Sequence, residues 1–278
     1  MNKTRAFLLA TLAAAFGIPG TASAMAMLYG NNFSGPSPLF SIDTGTGQAT
    51  SIASAMVDVG DMTSNQVDTL WGVTLNSSNN LISIDALSGA ITNTVALTGT
   101  DLQFGGGSIT SLAYDPITGV LFGNTSTGFG DTVGGDDLYT IDPLSGAVSL
   151  VGRIGFDNVY ALGFDQLGGL FGITNGGELI SLNLATGNGS LIAGGLGGSL
   201  FDMASNPDDN TMFVSMAGSQ SLATINLGTG ALTPVGPYNN GDANNVVGLA
   251  FLADRSVPEP TTLALLGATL VMVRRRRA

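Results

Sequence analysis

The chain has 278 residues, of which 41 are Gly, with 44% hydrophobic and only 10% charged positions. So little charge excludes a coiled coil or long-helix protein, and a mean hydropathy of +0.35 excludes a disordered one. Eight Lys and Arg stand against 20 Asp and Glu, and six of the eight sit at the two ends, leaving a strongly acidic body that repels nucleic acid and nucleotides.

His and Cys are both absent. That removes Ser-His-Asp and Cys-His triads, nitrogen- or sulfur-ligated zinc, His-ligated haem and disulfides. Any metal site must be oxygen-only, which means Ca²⁺ or Mg²⁺. Any acid–base chemistry must use Asp, Glu or Tyr.

Residues 1–24 carry Lys3 and Arg5, an apolar run from Ala6 to Phe16, the breaker Pro19-Gly20, and Ala22-Ser23-Ala24. A basic start, a short apolar helix and an Ala-x-Ala site make a secretory signal peptide, cut by signal peptidase after Ala24. The body, residues 25–255, is therefore expected outside the cytoplasm.

The body is a repeat. LFSIDTGTG, LISIDALSG, LYTIDPLSG, LISLNLATG and LATINLGTG end at Gly47, Gly89, Gly146, Gly187 and Gly230, at spacings of 42, 57, 41 and 43 residues. A second phrase precedes each, as in Leu28-Tyr29-Gly30, Leu70-Trp71-Gly72 and Leu121-Phe122-Gly123. Each unit parses as four short strands, in the third unit Ser108–Tyr114, Val120–Thr125, Leu138–Asp142 and Ala147–Val151, separated by Asx- and Gly-containing turns. Four strands in forty-odd residues is the period of a propeller blade. Val246–Phe251 reads as a first strand lacking its second, and Met27–Gly30 as a second strand lacking its first. Pairing them closes an all-β, five-bladed β-propeller through a split blade and removes the free edge; an open β-solenoid is the alternative. The repeats resemble those of secreted bacterial propellers with YVTN- and NHL-like units, a group that spans many functions.

Asp43, Asp85, Asp142, Asn183 and Asn226 share one turn position and read as Asx turn-formers, as do Asp115, Asp165 and Asn206. Trp71 aligns with Phe122 and Phe171 and reads as packing between blades. Acids and amides that break the repeat lie in loops leading to the first strands, which line a propeller's channel. Asp58, Asp157, Asn158, Asp202, Asp242 and Asn245 are accordingly the candidate ligand-binding residues, for a cation or sugar hydroxyls. The insertion between Thr125 and Asp137 supplies Asp131, Asp136 and Asp137 as candidate calcium ligands. No catalytic residue is assigned and no cofactor beyond that Ca²⁺ is expected.

The C-terminal residues, 256–278, hold Pro258-Glu259-Pro260, the apolar run Thr261–Val273, and Arg274, Arg275, Arg276 and Arg277. This tripartite tail resembles the PEP-CTERM sorting signal of exopolysaccharide-producing bacteria. The resemblance implies a transmembrane sorting helix, removed by a membrane-embedded exosortase, with the arginines as the cytoplasmic stop. The expected function is that of a secreted or surface-sorted, non-catalytic propeller in the extracellular polysaccharide or biofilm matrix, with polysaccharide or protein as partner. The alternative is a propeller glycosidase or lyase using channel-mouth carboxylates such as Asp58 and Asp202.

Overall fold

The computed structural model describes residues 25–32, 36–53, 57–75, 79–99, 108–126, 135–197 and 199–253. The segments expected to be a signal peptide, 1–24, and a sorting tail, 256–278, lie outside the described residues. Among the described residues no helix is long and apolar enough to cross a membrane.

Among the described residues, twenty strands form five four-stranded antiparallel sheets. The first blade orders β20 (Val246–Ala253), β1 (Ala26–Asn32), β2 (Leu39–Ile42) and β3 (Ala49–Ala53) from centre to rim. The second holds β4 (Val59–Ser64), β5 (Leu70–Thr74), β6 (Asn80–Ile84) and β7 (Ile91–Ala96). The third holds β8 (Ile109–Tyr114), β9 (Leu121–Thr125), β10 (Asp137–Ile141) and β11 (Val148–Arg153). The fourth is β12 (Val159–Phe164), β13 (Leu170–Thr174), β14 (Leu179–Leu182) and β15 (Gly189–Ala193), and the fifth β16 (Leu200–Ser205), β17 (Met212–Met216), β18 (Ser221–Ile225) and β19 (Leu232–Pro237). The five-bladed propeller expected from the repeats is present, closed by the split blade: Leu28 registers with Phe251 and Gly30 with Leu249.

Burial follows strand position. Inner strands are buried almost throughout, β20 over seven of its eight residues, so they read as continuous apolar runs. Outer strands such as β7, Ile-Thr-Asn-Thr-Val-Ala, face solvent and rely on β-branched residues. The core sits between blades; Trp71 of the second packs on Tyr114 of the third, ring centroids 5.6 Å apart.

Each turn between third and fourth strands is held from within. Asp43 Oδ1 accepts bonds from Gly45 N (3.0 Å), Thr46 N (2.7 Å) and Thr46 Oγ1 (2.8 Å), and Gly47 closes the turn at a φ of +78°. These bonds hold the Asp43 carboxyl below its ordinary range, and the equivalent bonds to Ser145 do the same for Asp142.

A second device joins blades. The first residue of an inner strand has its backbone gripped by side chains of the preceding blade. Asn31 Nδ2 donates to Val59 O at 2.8 Å and Ser37 Oγ accepts from Val59 N at 3.1 Å. Asn79 both accepts from Ile109 N and donates to Ile109 O, each at 3.0 Å. Asn124 donates to Val159 O at 2.9 Å and Asp136 Oδ2 accepts from Val159 N at 2.6 Å. At the closure, Tyr238 Oη donates to Ser215 Oγ (2.8 Å), which donates to Val246 O (2.7 Å). Buried polar groups thus fix the blade spacing that apolar packing alone leaves loose.

Candidate functional site

The site arises from an irregularity that every inner strand shares. The pairing of inner to second strand slips between Val59 and Asp61, Ile109 and Ser111, Val159 and Ala161, Leu200 and Met203, and at Asn31/Asn32 opposite β20. A bulge inserts an unpaired residue and re-aims side chains. The displaced residues Gly60, Thr110, Tyr160, Phe201 and Val247 form a ring at one channel mouth. With Leu75, Asn175 and Asn245 they enclose a cavity of about 400 Å³. Tyr160 and Phe201, from neighbouring blades, stack with centroids 5.9 Å apart and planes within 7°. Among the described residues the mouth therefore offers two half-buried aromatic rings, two exposed amides, the hydroxyls of Thr110 and Tyr160, and no charged side chain in the cavity lining.

One residue further along each strand lies a second ring: Asp61, Ser111, Ala161, Asp202 and Gly248. Asp61 Oδ1 accepts from Met62 N at 2.8 Å and Oδ2 from Leu112 N of the next blade at 2.6 Å. Ser111 Oγ donates to Tyr160 O. Asp202 Oδ2 accepts from Leu249 N at 2.5 Å, while its Oδ1 meets no protein N–H. Asp61 and Asp202 stand on β4 and β16, on either side of β20, where Gly248 has no side chain to separate them, and the two carboxyls hydrogen-bond each other.

Both carboxyls are buried, at 1% and 0% exposure. Burial pushes Asp61 up to about 8. Burial, and then the charge of Asp61, hold Asp202 well above the ordinary carboxylate range. Both Asp61 oxygens already take backbone N–H groups, so a proton shared by the two carboxyls belongs on Asp202. Beyond the pair, toward the other end of the channel, a void of about 30 Å³ lies among Ser64, Gln66, Ala113, Leu162, Met203 and Phe251, room for about one water.

The structure disperses most of the candidate ligand-binding residues. Asn245 lines the mouth at a left-handed φ of 52°. Asp202 lies in the channel below the cavity rather than in the mouth. Asp58 and Asp157 are exposed at the approach to β4 and β12, and neither lines the cavity. Asn158, also left-handed, accepts Asn175 N at its carbonyl (2.8 Å), and the Asp242 carbonyl accepts Asn32 Nδ2. These two shape the rim through backbone geometry.

Of the candidate calcium ligands, Asp131 lies outside the described residues. Asp136 is wholly buried as the clasp on Val159, and Asp137 pairs with Arg153 at 3.7 Å. Among the described residues no group of three or more acidic side chains is placed to hold a metal ion.

Sequence reasoning missed Asp61, Tyr160 and Phe201. The signal was present in the repeat: aligning the first strands puts Asp61, Ser111 and Asp202 at one position inside otherwise apolar runs. A polar residue in a buried strand points to a specific partner.

The fold and site define this protein as a five-bladed β-propeller with an uncharged mouth over a sealed carboxyl pair. No protein-family model matches the sequence, and no curated protein does. Among solved structures, the chain is similar to one from a nidogen/laminin complex, with a TM-score of 0.49, 12% identity, and 82% of this chain and 98% of that chain covered. It is similar at TM-score 0.49 and 17% identity, over 80% and 93% of the two chains, to a symmetrical protein whose de novo evolutionary emergence is shaped by folding constraints. A luciferin-regenerating enzyme aligns at TM-score 0.46 and 12% identity, over 76% of each chain.

Proposed function

We propose that this is an exported, surface-sorted propeller that acts without catalysis in the extracellular polysaccharide or biofilm matrix, binding a neutral, hydroxyl-rich ligand at the channel mouth. Export by signal peptidase and sorting by an exosortase follow from the two terminal signals, the second by its resemblance to PEP-CTERM tails. The observation that carries the binding reading is the Tyr160–Phe201 stack beside Thr110, Asn175 and Asn245. Aromatic faces take the apolar face of a sugar ring, and amides and hydroxyls take its edge. The glycosidase or lyase reading needs carboxyls that reach substrate. Asp58 stands outside the cavity, and the oxygens of Asp61 and Asp202 are closed off beneath it.

The test is a screen of neutral oligosaccharides against the exported chain, followed by calorimetry on the best binder. Tyr160→Ala and Phe201→Ala are each expected to weaken binding about tenfold, the effect of losing one stacking contact of about 1.4 kcal/mol. Binding unaltered by both changes would remove the mouth as the site, and shortened glycan products would remove the non-catalytic reading.

A further inference from the structure

We propose that the face opposite the cavity mouth is a lipid-docking surface, on which the propeller rests against the bilayer that holds its tail. The proposal rests on the sorting-tail reading above. The turns joining first to second strands all lie on this face, and the third residue of each turn is its tip: Val67, Ile117, Leu167 and, in the fifth blade, Asp208. In the split blade the chain ends take the turn's place, with Met25 at the corresponding position. Four of the five tips are apolar, with Met25, Val67, Ile117 and Leu167 exposed at 76%, 64%, 65% and 81%. Their order around the channel follows from contacts. Ile117 lies 3.3 Å from the point where a Cβ on Gly168 would sit, and Ala26 N donates to Asp208 Oδ2 at 3.0 Å.

The charges of two of these turns are drawn inward. Asp115 Oδ1 accepts Ile117 N at 2.8 Å and its Oδ2 accepts Thr118 Oγ1 at 2.6 Å, leaving that carboxylate buried. Asp165 Oδ1 likewise accepts Leu167 N at 3.0 Å and Gly169 N at 2.7 Å. At these two turns the hydrocarbon protrudes, while Asp68, Asp208 and Asp209 leave exposed carboxylates on the same face, so the apolar tips stand at separate points around an axis rather than as a flat patch. That suits shallow insertion among lipid headgroups better than a close-packed protein interface.

The chain itself identifies the occupant. Ala253 pairs with Ala26 at this end of the first blade. The polypeptide therefore leaves the propeller on this face, and its sequence continues within a few residues into the apolar run Thr261–Val273 and four arginines. The acidity of the body selects a zwitterionic rather than an anionic bilayer.

Because the chain contains no cysteine, single reporters can be placed cleanly. Ile117→Cys, Leu167→Cys and, on the opposite face, Asp157→Cys are each made in the chain from Met25 to Ala278. Each variant carries a polarity-sensitive dye and is reconstituted in phosphatidylcholine vesicles, with and without a lipid-borne quencher. A blue shift and quenching at positions 117 and 167, absent at 157 and absent without vesicles, is expected. Equal signals at all three positions on vesicle-bound protein overturn the docking face and leave the tail reading intact. Failure of the protein to float with vesicles overturns both. A blue shift at 117 and 167 without lipid assigns the face to a second copy of the chain and overturns lipid docking.

Discussion

Asp202→Asn is expected to raise the melting temperature at pH 8 and to flatten its dependence on pH. In the unfolded chain both channel carboxyls titrate near pH 4. In the folded protein burial holds Asp61 up to about 8, and burial and the neighbouring Asp61 hold Asp202 well above the ordinary carboxylate range. The folded state therefore binds more protons than the unfolded one between about pH 4 and pH 8, and stability falls as pH rises through that window, by about 1.4 kcal/mol per pH unit for each proton. For a domain of this size that is roughly 3–6 °C in Tm per pH unit and proton. Asn at 202 can keep Leu249 N on its oxygen and donate its NH₂ toward Asp61, as the protonated acid does, with no proton to lose. Thermal melts of both proteins from pH 5 to pH 8 read this directly, and parallel slopes would exclude a shared proton.

The partner change behaves differently. Asp61→Asn sets its NH₂ against either Met62 N or Leu112 N, donor facing donor, and is expected to destabilise by about 1–3 kcal/mol. The depressed carboxyls of Asp43 and Asp142 have the opposite sign. Their contribution is present above about pH 4 and is lost as pH falls through their lowered values. The stability optimum is therefore expected near pH 4–5, where the turns are still ionised and the channel pair still holds its shared proton.

Gly248→Ala is the second large effect. A Cβ there would stand 2.2 Å from Asn31 Oδ1 and 2.7 Å from Met62 N. Both neighbours are committed: Asn31 grips Val59 O across the blade junction, and Met62 N binds the Asp61 carboxyl. Neither can yield without opening the closing blade or disturbing the carboxyl pair. Overpacking of this kind costs about 1–3 kcal/mol, or roughly 3–10 °C in Tm for a domain of this length. Gly241→Ala, with open space around it, serves as the control and is expected to melt with the wild type. Matching melts for both variants would show that β20 and β4 tolerate separation.

The blade count was legible because each blade needs the same turn. Asp43, Asp85, Asp142, Asn183 and Asn226 recur for a backbone reason, and Gly47 and its counterparts recur with them. The split closure was legible because a first strand without a second, at Val246, complements a second without a first, at Met27. The mouth was not. A bulge is a one-residue change in pairing and leaves no mark on an apolar run, so Tyr160 and Phe201 read as ordinary alternating strand residues. Asp58 drew attention as a loop acid at the right end of the channel, while Asp61, three residues on, is the one that the bulge turns into it. Asp136 read as a metal ligand because it sits in an acidic, Gly-rich insertion, and its bond to Val159 N is visible only once the third and fourth blades meet.

The split blade also settles how the molecule bears mechanical load. Tension applied through the chain end at Ala253, and resisted by whatever the opposite face holds, runs lengthwise along β20. Its seven register pairs with β1 are then strained together in shear rather than peeled one at a time. A tether fixed to the rim strand of a blade would unzip it; here the pulling point is the innermost strand, walled by β4 and β16 on either side, the part of the wheel that yields last.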